Sequence, residues 1–245
     1  MRLPLANVGS TLGDIWNDAT GTQAAPADAA IVATAVLAIA IVLVPRAWSL
    51  ARNVVTIAHE GAHGVAALLS GRQLTGIRVH SDTSGLAVSK GKPRGPGMIA
   101  TAAAGYIGPA LLGLLAAFLL SRGHALGVLW LAVLLLGLLT LKIRNFYGLW
   151  AVLVAGFAVF AVSWWGNPDV QSLVAYTGAW FLLFAAPRPV LEMQAQRRRG
   201  RAPKSDADVL AHLTHLPALL WVGFFLLVTI GVAVLGTSLL IDGLR

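Results

Sequence analysis

"TIAHEGAHGVAALLSG", residues 56–71, holds His59, Glu60 and His63 inside a run that is otherwise apolar or small. Three ionisable groups within five residues are expensive in lipid or in a packed core unless they are partnered, and such groups mark functional sites. On an α-helix, positions i and i+4 share a face. His59 and His63 can therefore aim ring nitrogens at one ion, with Glu60 beside them. The spacing suits zinc: an ion held by two His and a carboxylate keeps a position for water and lowers its pKa to about 7, and an unligated Glu can take the proton. Glu60 is the expected general base. With 6 His in 245 residues, His-Glu-x-x-His arises by chance on the order of once in a thousand such chains. The competing reading, hydrogen-bonding groups between helices, accounts less well for the clustering.

The surrounding composition sets the environment. Of 245 residues, 57% are hydrophobic and 11% charged, with mean hydropathy +0.76, beyond what a solvated domain carries. A span needs roughly 20 mainly apolar residues, and runs near 29–50, 53–70, 97–121, 124–141, 145–165, 170–186 and 217–241 meet that length. The expected fold is an all-α membrane protein, a bundle of about seven transmembrane helices. Residues 1–28, with Asp14, Trp16, Asp18 and Asp28, lack a basic segment leading directly into an apolar one and do not read as a cleaved leader. They are expected as an N-terminal cytoplasmic segment, ahead of one membrane-embedded domain at 29–245.

The chain has no cysteine, so any metal must be held by His and carboxylate. If seven helices alternate sides, one side receives Arg2, five basic residues at 71–96, Lys142, Arg144 and six at 187–216. Arg46, Arg52, Arg122 and Arg245 fall on the other. The positive-inside rule makes the richer side cytoplasmic, placing the N-terminus inside and the C-terminus outside. The formal charge of +8, with "RRRGR" at 197–201, then serves topology and contact with anionic lipid rather than nucleic acid.

Two polar segments lie on that side. In 72–97, Leu74, Ile77 and Val79, then Leu86 and Val88, flank the turn-rich "SDTSG", which predicts a short cytoplasmic β-hairpin. The segment 187–216 opens with "PRP", carries the basic run and turns helix-like at Ser205, an N-cap ahead of Asp206 and Asp208.

"HEGAHGVAALLSGRQLTGIRV" (59–79), "AAAGYIGPALLG" (102–113) and "SDADVLAHLTHLPALLW" (205–221) resemble the site-2 protease family of intramembrane zinc metalloproteases, in a compact bacterial form without a PDZ domain. The resemblance implies a third zinc ligand, an Asp on a later helix; the family's Leu-Asp-Gly motif for it is absent here. Asp14, Asp18 and Asp28 precede the first span, Asp169 and Asp242 fall on the opposite side, Asp82 sits in the hairpin turn and Glu192 in a linker. Asp206 and Asp208 remain. The "SDA" pattern of the compact group favours Asp206, with Asp208 the alternative. His59 lies 11 residues before Ser70, about 16 Å along the helix, so 206–216 must fold inward to reach it, and Pro217 permits the bend.

The resemblance further implies Zn²⁺ as cofactor, the bacterial inner membrane as location, and as substrates transmembrane segments of membrane proteins, anti-sigma factors or remnant signal peptides among them. It also implies that the hairpin holds an unwound substrate by β-addition. A zinc-binding transporter or sensor and an inactive scaffold are the alternatives. Gly61 and Gly64 suit either substrate approach or helix packing. "GYIGP" (105–109) reads as a break or kink, and Asn145 as interfacial; His212 and His215, which share a helical face with Asp208 at i, i+4, i+7, are a further ligand alternative, read in preference as supporting or interfacial groups.

Overall fold

A computed structural model describes residues 8–200 and 205–242. Arg2, Arg201, Lys204 and Arg245 of the charge asymmetry lie outside them. In chain order the elements are α1 (Val8–Thr20), α2 (Asp28–Leu43), α3 (Pro45–Leu69), β1 (Gln73–Val79), β2 (Gly85–Lys90), α4 (Pro96–Ser121), α5 (Ala125–Thr140), α6 (Phe146–Trp165), α7 (Pro168–Ala185), α8 (Pro187–Arg198), α9 (Asp206–Thr214) and α10 (Ala218–Ile241).

The protein is a mostly helical integral membrane protein with a two-stranded antiparallel sheet, but the described residues do not support the seven expected spans. Among the described residues α4, α6, the α7–α8 unit and α10 are long and apolar enough to cross a bilayer, and α2 with α3 adds a fifth as one bent unit; α5 is a shorter apolar helix of 16 residues. The expected spans 29–50 and 53–70 differ from the structure because the chain breaks earlier. Pro45 cannot donate to the helix before it and drives Val44 to extended geometry (φ −76°, ψ 118°). α3 then leaves α2 at 98°. Pro187 and Pro189 do not end the helical path after α7, because in the first turn of α8 their missing N–H groups would have had no partner anyway.

Hydrogen bonds identify the two ends of the bundle. At one, Gln23 N–H donates to Gly123 O (2.8 Å), His124 Nδ1 donates to Gly21 O (3.0 Å) and Gln23 Nε2 donates to Gln171 Oε1 (2.9 Å). At the other lie the hairpin and the 141–145 turn, joined by Ile77 N–H to Lys142 O (2.8 Å) and Arg144 N–H to Ile77 O (2.9 Å). The start of the chain was expected beside the hairpin. Its described residues 21–23 instead sit at the opposite end, beside Gly123, His124 and Gln171. Arg52, expected across the membrane from Arg188, pairs with the same carboxylate as Arg188, that of Glu192.

Three buried clusters join these elements. Ile31, Ala38, Ala117, Leu183 and Leu240 represent one, spread over α2, α4, α7 and α10. Val190, Ala207, Leu210 and Phe225 knit α8, α9 and α10 against Ala102 of α4. Ile57, Ile77, Val79 and Val152 fix the hairpin to α3 and α6.

Candidate metal centre

α3 and α4 approach closely at small residues. A Cβ on Gly108 would collide with Ala62, and one on Gly105 would collide with Nε2 of both His59 and His63. Gly105 is thus the recess into which both rings project. α4 continues as helix through Gly105 and Pro109, so "GYIGP" supplies space rather than the expected break.

His63 Nδ1 lies 2.6 Å from Thr101 O. A carbonyl only accepts, so Nδ1 carries the hydrogen and Nε2 is left with its lone pair. The Nε2 atoms of the two His are 3.1 Å apart. α9 brings Asp206 to the same point, with Oδ2 3.2 Å from His59 Nε2 and 3.3 Å from His63 Nε2. Pro217 and His215 make this approach possible: His215 adopts a left-handed conformation (φ 62°) that stops α9, and Pro217 opens α10 in a new direction.

The fit of a metal can be tested on that triangle. Tetrahedral zinc bonds His and carboxylate atoms at about 2.0–2.1 Å, which spaces neighbouring ligand atoms about 3.3 Å apart. The observed edges of 3.1, 3.2 and 3.3 Å match. The chemistry matches too, since lone pairs converging at such distances repel unless a cation or shared protons lie between them. Among the described residues these three are the group able to hold an ion.

Glu60 follows His59 on α3, is 5% exposed, and lays its carboxylate against Gly85 at the start of β2. The hairpin is pinned there by the Thr56 hydroxyl donating to Thr83 O (2.9 Å). β1 has both edges occupied, by β2 and by the 142–144 segment; among the described residues no strand pairs with the outer edge of β2.

Of the sequence-predicted residues, His59, Glu60, His63 and Asp206 meet, and Asp208 does not. Its carboxylate takes hydrogen bonds from Arg197 and from the Ser205 hydroxyl, which together hold it below the usual carboxylate range. His212 and His215 are exposed, away from the triangle. Gly64 contacts Leu74 and Ile77 of the hairpin, a packing role. Asn145 does more than mark an interface: its side chain bonds both the N–H and the carbonyl of Val79 (3.2 and 2.6 Å), capping β1. Tyr106, edge-on to His59 with centroids 4.6 Å apart, and Thr101 were not legible as site residues, because neither carries a spacing signal.

The family model described as Peptidase M50B-like matches residues 32–236, a span that includes all four site residues. No curated protein and no solved structure matches the chain.

Proposed function

Since the chain belongs to the Peptidase M50B-like family, a site-2 protease family, we propose that it is an intramembrane zinc metalloprotease cleaving transmembrane segments of other membrane proteins. The observation that carries the reading is the near-equilateral triangle of His59 Nε2, His63 Nε2 and Asp206 Oδ2 with Glu60 adjoining it.

His59, His63 and Asp206 would hold Zn²⁺, which when bound would supply Lewis acidity to acidify water and polarise a peptide carbonyl. Thr101 keeps His63 in the ligating tautomer and orientation. Glu60 accepts the proton of the attacking water and delivers it to the departing amine nitrogen, so one group serves both halves of the hydrolysis. Its burial excludes competing solvent. A scissile bond must be extended to be attacked, because a helix engages its carbonyl. The open edge of β2, which begins at Gly85 against Glu60, offers backbone pairing to such a strand.

Lys90, Lys92, Arg94, Lys142 and Arg144 all belong to the hairpin end of the bundle, which therefore faces the cytoplasm of a bacterial cell. Substrates are cut near that face, with anti-sigma factors and remnant signal peptides as the candidate classes.

The deciding experiment compares wild type with Glu60→Gln in detergent, measuring bound zinc and cleavage of a model transmembrane substrate. Zinc retained with cleavage lost supports the reading; cleavage persisting in Glu60→Gln overturns the assignment of the base, and a well-folded wild type without zinc overturns the whole.

A further inference from the structure

Asp208 follows Asp206 by two residues, yet it is held by a different partner. Arg197, near the end of α8, places Nε 3.1 and 3.2 Å from the two Asp208 oxygens and Nη2 2.7 Å from Oδ1. Gln194 Oε1 steadies the guanidinium by accepting from Nη1 at 2.9 Å. The Ser205 hydroxyl donates to Asp208 Oδ2 at 2.6 Å, so the first turn of α9 is closed on itself and clamped to α8 at once. Beneath the clamp, Val190 and Met193 of α8 share a buried cluster with Ala207 and Leu210 of α9.

The same helix also grips α3. Glu192 Oε1 accepts from Trp48 Nε1 at 2.8 Å, Arg52 Nη2 lies 3.3 Å from Glu192 Oε2, and the Arg188 guanidinium lies over the Trp48 ring at 4.5 Å. Trp48 and Arg52 lie on the helix that carries His59 and His63; Arg197 grips the helix that carries Asp206.

We propose that α8 is the spacer holding the two halves of the metal site at binding distance, and that Arg197 is a positioning residue for Asp206, acting through Asp208. The proposal rests on the metalloprotease reading and deepens it, giving a task to charged residues that touch neither metal nor substrate. The physical need is plain. α9 has nine residues, too few for a stable isolated helix, and Asp206 is its first residue, where helices fray. Without the clamp, the metal itself must order that turn, and the ordering is subtracted from its affinity.

Zinc affinity of the full chain in detergent, read by competition with a chromophoric chelator, tests this with Arg197→Met, Asp208→Asn and the double variant. Each single change is expected to weaken zinc about 10–100-fold, the usual effect of removing a ligand's supporting contact. The double variant should be no weaker than the worse single one, since both changes break one clamp. Arg197→Lys keeps the charge but not the fork and should fall between wild type and Arg197→Met; it also serves as the deciding variant if Arg197→Met does not fold. Unchanged affinity in folded variants, with only the melting temperature of the metal-free protein lowered, would overturn the positioning role and leave the metalloprotease reading intact. Additive losses would overturn the route through Asp208. Wild type that binds no zinc would overturn both readings.

Discussion

Gly85, the first residue of β2, lies flush against the carboxylate of Glu60, so close that any side chain there would occupy the space of Oε1. The hairpin is therefore one wall of the candidate metal centre as well as a surface element. Gly85→Ala should displace Glu60 while leaving the His–Asp triangle untouched. We expect turnover to fall about 10–100-fold, the scale of an ångström-sized misplacement, with bound zinc unchanged. Loss of zinc in this variant would contradict the division between base and ligands.

Gly105 makes the opposite case. Its missing side chain is the room taken by Nε2 of both His59 and His63, so Gly105→Ala should abolish zinc retention along with cleavage. Gly178→Ala, at a helical glycine with open space around it, should leave both at wild-type levels. Elemental analysis of the purified variants distinguishes the two glycines.

Asp206→Ala should remove stoichiometric zinc, whereas Asp208→Ala should still fill with zinc when the metal is in excess. The reverse pattern would transfer the ligand role to Asp208 and require α9 to turn.

The two ends of the bundle can be checked by labelling. The chain has no cysteine, so Thr22→Cys, Asp82→Cys and Arg122→Cys each introduce a unique thiol. In sealed vesicles of one orientation, an impermeant maleimide should reach residues 22 and 122 from the same side and residue 82 from the other. Residues 22 and 82 labelling together would restore two complete spans before the hairpin.

Trp48→Phe keeps a ring beside Phe181 and Arg188 but removes the indole donor to Glu192. One lost hydrogen bond to a part-buried carboxylate should cost about 1–2 kcal/mol of stability, read as reduced resistance to denaturant in detergent. Zinc affinity should fall with it, because that grip is one side of the α8 spacer; lost stability with unchanged zinc affinity would confine the action of α8 on the metal site to its clamp on α9.

Much of this protein is local and was readable from the chain. The i, i+4 spacing dictates that His59 and His63 share a face, the "SDTSG" turn between β-favouring runs dictates a hairpin, and Ser205 ahead of two acidic residues dictates where α9 begins. Residues distant in the chain decided the rest. Asp206 and Asp208 are two positions apart, about 200° around a helix at 3.6 residues per turn, so they point in nearly opposite directions. Which of them meets the His pair depends on which side α3 approaches from, and which is clamped depends on where α8 lies. Pro45 marks in the sequence where α2 must end, but the direction α3 takes after it, and with it the end of the bundle at which residues 21–23 lie, is visible only in the packing. Glycines 85 and 105 matter for atoms they lack, against partners 25 and more residues away. Periodicity determines which residues share a face of their own element; only the packing of elements determines what that face meets.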